Sequence, residues 1–147
     1  MQIFVLNKNP AISAFLLFKI DFKRANKQIV ELGQILSTVA RNKYKINNDK
    51  LYKQCFVHHP IVLWVRNNGN NFIWSLKYLK ELLKIFAIER NKIHKTKIVY
   101  DILKQFDKKI DYNNINFCRC FKNEEKYRNY DIFYAYKVYI FDKIKNN

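Results

Sequence analysis

Glycine and proline are almost missing from this chain: 147 residues contain two of each. Sandwich and barrel folds turn their chain on these residues every ten positions or so. A chain without them is confined to long uninterrupted elements joined by polar loops. The hydrophobic period shows which elements. Ile29, Leu32, Leu36 and Val39 fall on one stripe at the 3.6-residue repeat and predict a helix over about Lys23–Arg41. Ile73, Leu76, Leu79, Leu83 and Phe86 do the same over about Asn71–Arg90, behind the breaker Asn67-Asn68-Gly69-Asn70. Shorter helices are expected at Ala11–Ile20 and at Pro60–Arg66, where Pro60 suits a first turn. Two more are expected at Thr96–Lys108, with Ile98, Ile102 and Phe106 inward, and at Asp131–Ile144.

The segment Met1–Leu6 is apolar and closed by Asn7-Lys8-Asn9-Pro10. It reads as an extended stretch lying on the body, with a turn behind it. Asn42–Tyr52 reads as a polar loop. The length suits one domain, and no Ser/Gly linker or repeat divides the chain. The expected fold is therefore all-α: a compact single-domain bundle of about five helices with an extended N-terminal segment.

Charge narrows the partner. Lys and Arg number 28 against 12 Asp and Glu, a formal charge of +16. Such an excess opposes compaction and attracts polyanions, because each phosphate neutralised releases counterions. Nucleic acid, DNA or RNA, is the expected partner. The three cysteines, Cys55, Cys118 and Cys120, are an odd number and suit a reducing compartment better than a disulfide framework. The C-x-C pair lacks the second pair that structural zinc sites use. No dinucleotide or phosphate-loop fingerprint occurs. No metal, small-molecule cofactor or membrane partner is expected. With no charged-then-apolar leader, the expected location is cytoplasmic, nuclear or inside a virus particle rather than secreted.

Several stretches resemble a family of small phage and viral proteins: MQIFVLNKNP, IVELGQILSTV, LYKQCFVHHPIVLWVR, NNFIW, NKIHKTK and EEKYRNYDIFYAYKVY. The most specific is the string from His59-Pro60 to Trp64 and Arg66. That family more remotely resembles the phage pyrimidine-dimer DNA glycosylases with AP-lyase activity, which are small, basic and all-helical. The resemblance implies a catalytic Glu on the helix after the N-terminal segment, matched by Glu31. It implies a His seven positions earlier, where this chain departs and has Arg24, and it implies double-stranded DNA as the partner. It also matches His59, and it implies a nucleophilic N-terminal amine. The glycosylases expose a small residue there after removal of Met, with Arg next. Here Met1 carries the amine and Gln2 stands in the Arg position.

The chemistry so implied is attack of a neutral amine on the sugar C1′, release of the base, and β-elimination assisted by a carboxylate. An α-amine loses its proton more readily than a lysine side chain. The catalytic candidates are thus Met1 and Glu31. The nucleic-acid-binding candidates are Arg24, Lys27, His59, Arg66, His94 and Lys95. Each also has a plain structural reading. Glu31 pairs with Lys27 one turn before it, His59 caps a helix, Arg66 pairs with Glu81 or Glu89, and His94 sits in a solvated basic turn. Tyr134, Tyr136 and Tyr139 near Lys137 read either as core or as a platform for stacking bases.

Overall fold

A computed structural model describes residues 1–122 and 124–146. Seven α-helices and two short 3-10 turns account for its regular structure, with no strand among the described residues. Side-chain caps do the work that glycine and proline would do elsewhere. Helix α1 (Pro10–Ile20) opens with Asn9 accepting hydrogen bonds from the backbone of Ala11 and Ile12. Asp21 is both the last cap of α1 and the first of α2 (Phe22–Asn42), so the two helices meet without a linker. Helix α3 (Pro60–Asn67) starts on His59, and α4 (Gly69–Arg90) on Asn68. Asn91, at φ 50°, ends α4 in the left-handed conformation that asparagine tolerates. Helix α5 (Lys97–Leu103) passes into a 3-10 turn at Lys104–Phe106, and a second such turn spans Tyr112–Asn114. The one-turn α6 (Glu124–Tyr127) precedes α7 (Ile132–Lys145), which Asp131 caps.

Helix α4 is the central element and packs against α1, α2, α3 and α5. Phe72, Trp74, Leu76, Tyr78, Leu79 and Leu82 are all buried, so α4 is covered over more than half of its circumference, with Lys77, Lys80, Glu81 and Lys84 on the remaining face. Each such side chain contributes about 1.5–3 kcal/mol relative to exposure. The stripe expected on α2 is present: Ile29, Leu32, Leu36 and Val39 are wholly buried. The N-terminal segment is a core element despite lacking regular structure, with Ile3, Phe4, Val5 and Leu6 buried. Its backbone is satisfied by side chains instead of a helix or ladder. Gln28 accepts from the Phe4 N–H (2.7 Å) and donates to the Gln2 carbonyl (2.8 Å). Tyr78 donates to the Phe4 carbonyl (2.6 Å), Trp74 donates to that of Lys8 (2.8 Å), and Ser13 accepts from the Leu6 N–H (2.9 Å).

The expected class holds, and three expectations are corrected. Seven helices form where about five are expected: the six placed one by one all form, and the one-turn α6, too short to carry a periodic signal, is added to them. Helix α4 begins inside the supposed breaker, at Gly69, because Asn68 accepts from the Asn70 N–H and starts the helix there (2.8 Å). Helix α5 ends at Leu103, not Lys108: Asp107 is tied to the Lys77 ammonium and the Tyr100 hydroxyl, both at 2.6 Å, and its backbone is extended. On α5, Val99 and Leu103 point inward, while Ile98 is 37% exposed. Adjacent β-branched residues look alike in sequence, and only the neighbouring helix selects which one is covered. Ile73 is likewise half-buried, and its neighbour Trp74 takes the interior position.

Candidate functional site

The buried first residues carry the chain's start to the side of α2. The Met1 amine lies 4.0 Å from Oε2 of Glu31. That same oxygen accepts the Gln2 N–H at 2.7 Å. Glu31's other oxygen faces the Lys27 ammonium at 3.8 Å, one helical turn back. Glu31 is only 13% exposed while Lys27 is 75% exposed, so the carboxylate sits at the floor and the lysine at the rim. The Gln2 amide donates to the Cys120 carbonyl, and its own Oε1 is buried without a hydrogen-bond partner among the described residues. Met1, Lys27, Val30, Glu31, Gln34 and Phe56 line a pocket of about 300 Å³ above this floor.

His59 belongs to the same neighbourhood. Its Nδ1 accepts the Ile61 N–H at 3.1 Å and caps α3. Burial lowers its pKa, the positive amino terminus lowers it further, and Glu31 acts in the opposite sense. The ring is thus held in its neutral form with the amine and the carboxylate both in electrostatic reach. Cys120 feels the amine too. Burial raises its thiol pKa against the pull of that charge, and burial pushes Cys118 up to about 11. Neither thiol is an activated nucleophile. Among the described residues no group of three or more His, Cys, Asp and Glu converges as a metal site would need.

Phe56 completes the rim, and its backbone is strained. Its φ is 52°, a region that a bulky L-residue enters at a cost of about 1–2 kcal/mol. Both flanks hold it there. The Cys55 N–H donates to Thr38 Oγ1 at 3.1 Å, and the His59 N–H donates to the Phe56 carbonyl at 2.9 Å.

Beyond Lys27 the surface opens into a cleft of about 680 Å³. Six cations border it, Lys23, Arg24, Lys27, Lys122, Lys126 and Lys143, against the two carboxylates of Asp21 and Asp142. Asp21 is occupied by Arg24 (3.1 Å), and Asp142 by Lys126 and the Tyr127 hydroxyl (both 2.8 Å). Hydrogen bonds from Lys126 and Tyr127 hold the Asp142 carboxyl below its usual range. Lys23, Lys122 and Lys143 have no acidic partner among the described residues. Lys27 lines both the amine pocket and the cleft, so the two adjoin there.

No known protein family matches the chain, and no curated protein and no solved structure is detectably similar to it. The geometry therefore stands alone.

Of the residues singled out in the sequence, Met1, Glu31 and Lys27 meet, His59 lies within electrostatic reach of the amine and the carboxylate without lining their pocket, and Arg24 stands on α2 with its guanidinium engaged by Asp21. The remaining three lie elsewhere. Arg66 is exposed and borders a small separate hollow with Thr38, Val39, Asn42, Val57 and Val62. It makes no ion pair among the described residues, and Glu81 pairs with Lys84. His94 lines a cavity between α4 and α5, its Nδ1 accepts the Thr96 N–H (3.0 Å), and its ring packs edge-on against Phe86. Lys95 is exposed beside it. Tyr136 and Tyr139 are core residues, and Tyr134 is exposed. Sequence reasoning missed Lys23, Lys122, Lys126, Lys143 and Phe56. Lys23 and Lys27 share a helix face, a signal open to view. The others arrive from the distant α6–α7 region and from a loop, where no spacing rule applies.

Proposed function

We propose that this chain is a DNA-binding protein of the pyrimidine-dimer DNA glycosylase/AP-lyase type, acting on damaged or modified bases. The observation that carries the reading is the 4.0 Å approach of the Met1 amine to Glu31 in a pocket that adjoins a six-cation cleft at Lys27. The cleft supplies the phosphate contacts, with Lys23, Lys122 and Lys143 unneutralised and Arg24 and Lys27 beside them. The nucleotide leaves the stack and its C1′ faces the amine. The neutral amine attacks, a C–N bond forms, and the base departs with the electron pair of the glycosidic bond. The C1′–O4′ bond then breaks with its pair on O4′, which takes up a proton, and the nitrogen is left double-bonded to C1′ as an imine. The amine proton passes to Glu31, which lies within one-water reach. A proton is then lost from C2′ and the 3′ phosphate leaves with its C–O electron pair. His59, neutral and close, steadies the sugar. Incubation with abasic-site DNA and borohydride is expected to trap a covalent adduct whose mass maps to Met1. Glu31→Gln is expected to slow strand cleavage by about 10²–10⁴. Absence of an adduct, or an adduct on a lysine, overturns the assignment.

A second reading has its own support. The Met1 side chain is only 5% exposed, and Glu31 already accepts the Gln2 N–H. A site so satisfied suits a structural anchor, and the protein is then a non-catalytic basic nucleic-acid-binding component of a particle or an assembly. This reading predicts tight, salt-dependent binding that breaks no bond.

A further inference from the structure

Phe56 is 65% exposed, in a conformation that disfavours a bulky residue, on the rim of the pocket that holds the amine and the carboxylate. Among the described residues, positive φ occurs at two other non-glycine positions, Lys45 and Asn91, both polar. Phe56 alone among the three sets a large apolar side chain into solvent. Burial does not reward that position, and the strain does not belong to a helix end as Asn91's does. The hydrogen bonds to Thr38 and from His59 fix the backbone on each side of it, so the ring is presented on a rigid post. The surrounding charge says what the ring meets. Lys27 shares the rim and opens onto the six-cation cleft, so the occupant is a polyanion that also carries flat apolar faces. Stacked bases on a phosphate backbone answer to both.

We infer that Phe56 is a wedge that enters the base stack of duplex DNA beside the nucleotide whose sugar faces Met1, filling the gap that the nucleotide vacates. Inserted apolar side chains unstack and kink a duplex in this manner, and an aromatic ring recovers stacking with the neighbouring base. The inference rests on the proposed DNA-processing reading and names the residue that opens the helix for it. Single-stranded DNA has no stack to open, so the wedge matters for duplex alone.

The test uses the full-length protein in two assays. In the first, adduct trapping is compared on duplex and single-stranded abasic DNA. Phe56→Ala is expected to slow trapping about tenfold on the duplex and less than twofold on the single strand, and Phe56→Trp to restore the duplex rate. Equal loss on both substrates, or loss on neither, overturns the wedge. The second assay needs no chemistry: 2-aminopurine is placed beside a tetrahydrofuran abasic analogue in a duplex. The wild-type protein is expected to change its emission on binding, and Phe56→Ala to bind with less than half of that change. If the wild-type protein traps no adduct yet shifts the emission through Phe56, the amine chemistry fails and the wedge survives. An emission unchanged by the wild-type protein, or shifted fully by the Ala variant, sinks the wedge whatever the trapping shows.

Discussion

Replacing Gly33 by alanine separates local from tertiary reasoning in one experiment. Gly33 is in the interior of α2, where alanine is favoured over glycine by about 1 kcal/mol. On helix propensity alone, Gly33→Ala stabilises. The structure reverses the sign. A Cβ at this position meets Thr96 Cγ2 at 2.5 Å and Tyr52 Cε2 at 2.8 Å, roughly 1 Å inside the ordinary carbon–carbon contact of about 3.5–4.0 Å. Neither neighbour is free to retreat. Thr96 is wholly buried, its N–H is held by His94, and its hydroxyl is joined to that of Tyr52 at 2.7 Å. Overpacking of this kind costs about 1–3 kcal/mol, and losing the Tyr52–Thr96 hydrogen bond adds about 0.5–1.5 kcal/mol. After the propensity gain, a net destabilisation of about 0.5–3.5 kcal/mol remains, a fall in Tm of about 1–14 °C for a chain of this size. Thermal and urea unfolding followed by circular dichroism measure it. Thr96→Ser, which removes the Cγ2 methyl, is expected to restore part of the loss in the Gly33→Ala background. A Gly33→Ala variant that melts higher than wild type refutes the close approach of α2, the Tyr52 loop and the start of α5.

Four further outcomes follow from the same structure. Gln28→Leu strands the Gln2 carbonyl and the Phe4 N–H and is expected to cost about 2–4 kcal/mol; with the segment loosened, Met1 adducts fall in step, which a denaturant midpoint and a trapping assay read together. Burial alone raises the Asp107 pKa, but the hydrogen bonds from Lys77 and Tyr100 and the charges of Lys77 and Lys80 outweigh it and leave it lowered; its stabilising contribution is thus present above the ordinary carboxylate range and lost as pH falls through the depressed value, and Asp107→Asn is expected to lower stability by about 2 kcal/mol at pH 7 and flatten that acid limb in urea titrations. Burial lowers the His59 and His94 pKa values, with the amino terminus adding to it at His59 and Lys95 and Lys92 at His94, so the unfolded chain binds more protons just below the ordinary histidine pKa of about 6.5 and stability declines as pH drops through that window; the double variant with Asn at both positions keeps a capping oxygen and is expected to remove the decline between pH 7 and pH 5. Replacing Lys23, Lys122 and Lys143 together by Gln is expected to reduce the slope of log affinity against log salt by about 0.9 for each phosphate no longer neutralised, leaving stability within about 0.5 kcal/mol of wild type, as fluorescence anisotropy over a salt series and thermal melts will show.

Periodicity located the long helices because their apolar stripes are local. Ile29 to Val39 on α2 and Leu76 to Phe86 on α4 lie within a few turns of one another, and both stripes are buried. The polar cap at His59 was legible on the same ground, since its side chain reaches a backbone N–H two residues on, while Asn9 caps α1 where the sequence showed only a turn. The ends and inward faces of the short elements were less legible, because a helix of seven residues gives barely two turns of signal. Ile98 and Val99 differ only in which one a neighbouring helix covers. For the candidate site, Glu31 and Lys27 share a helix and were visible as a pair. Phe56 was not, because an aromatic in a loop is usually packed, and nothing in the sequence declares the left-handed backbone that leaves it bare.

Sequence alone determined an all-helical chain, its large positive charge and an apolar N-terminal segment, since these depend on composition and on patterns a few residues long. Tertiary structure decided that residues 1, 31 and 56 share one pocket with residue 59 close by, and that lysines from both ends of the chain border one cleft. Those meetings depend on how α2 and the N-terminal segment dock and on where α7 comes to lie, and docking is settled by the shapes of many buried side chains at once. Charge at position 122 or 143 reads the same in the sequence whether it faces open water or the rim of a cleft.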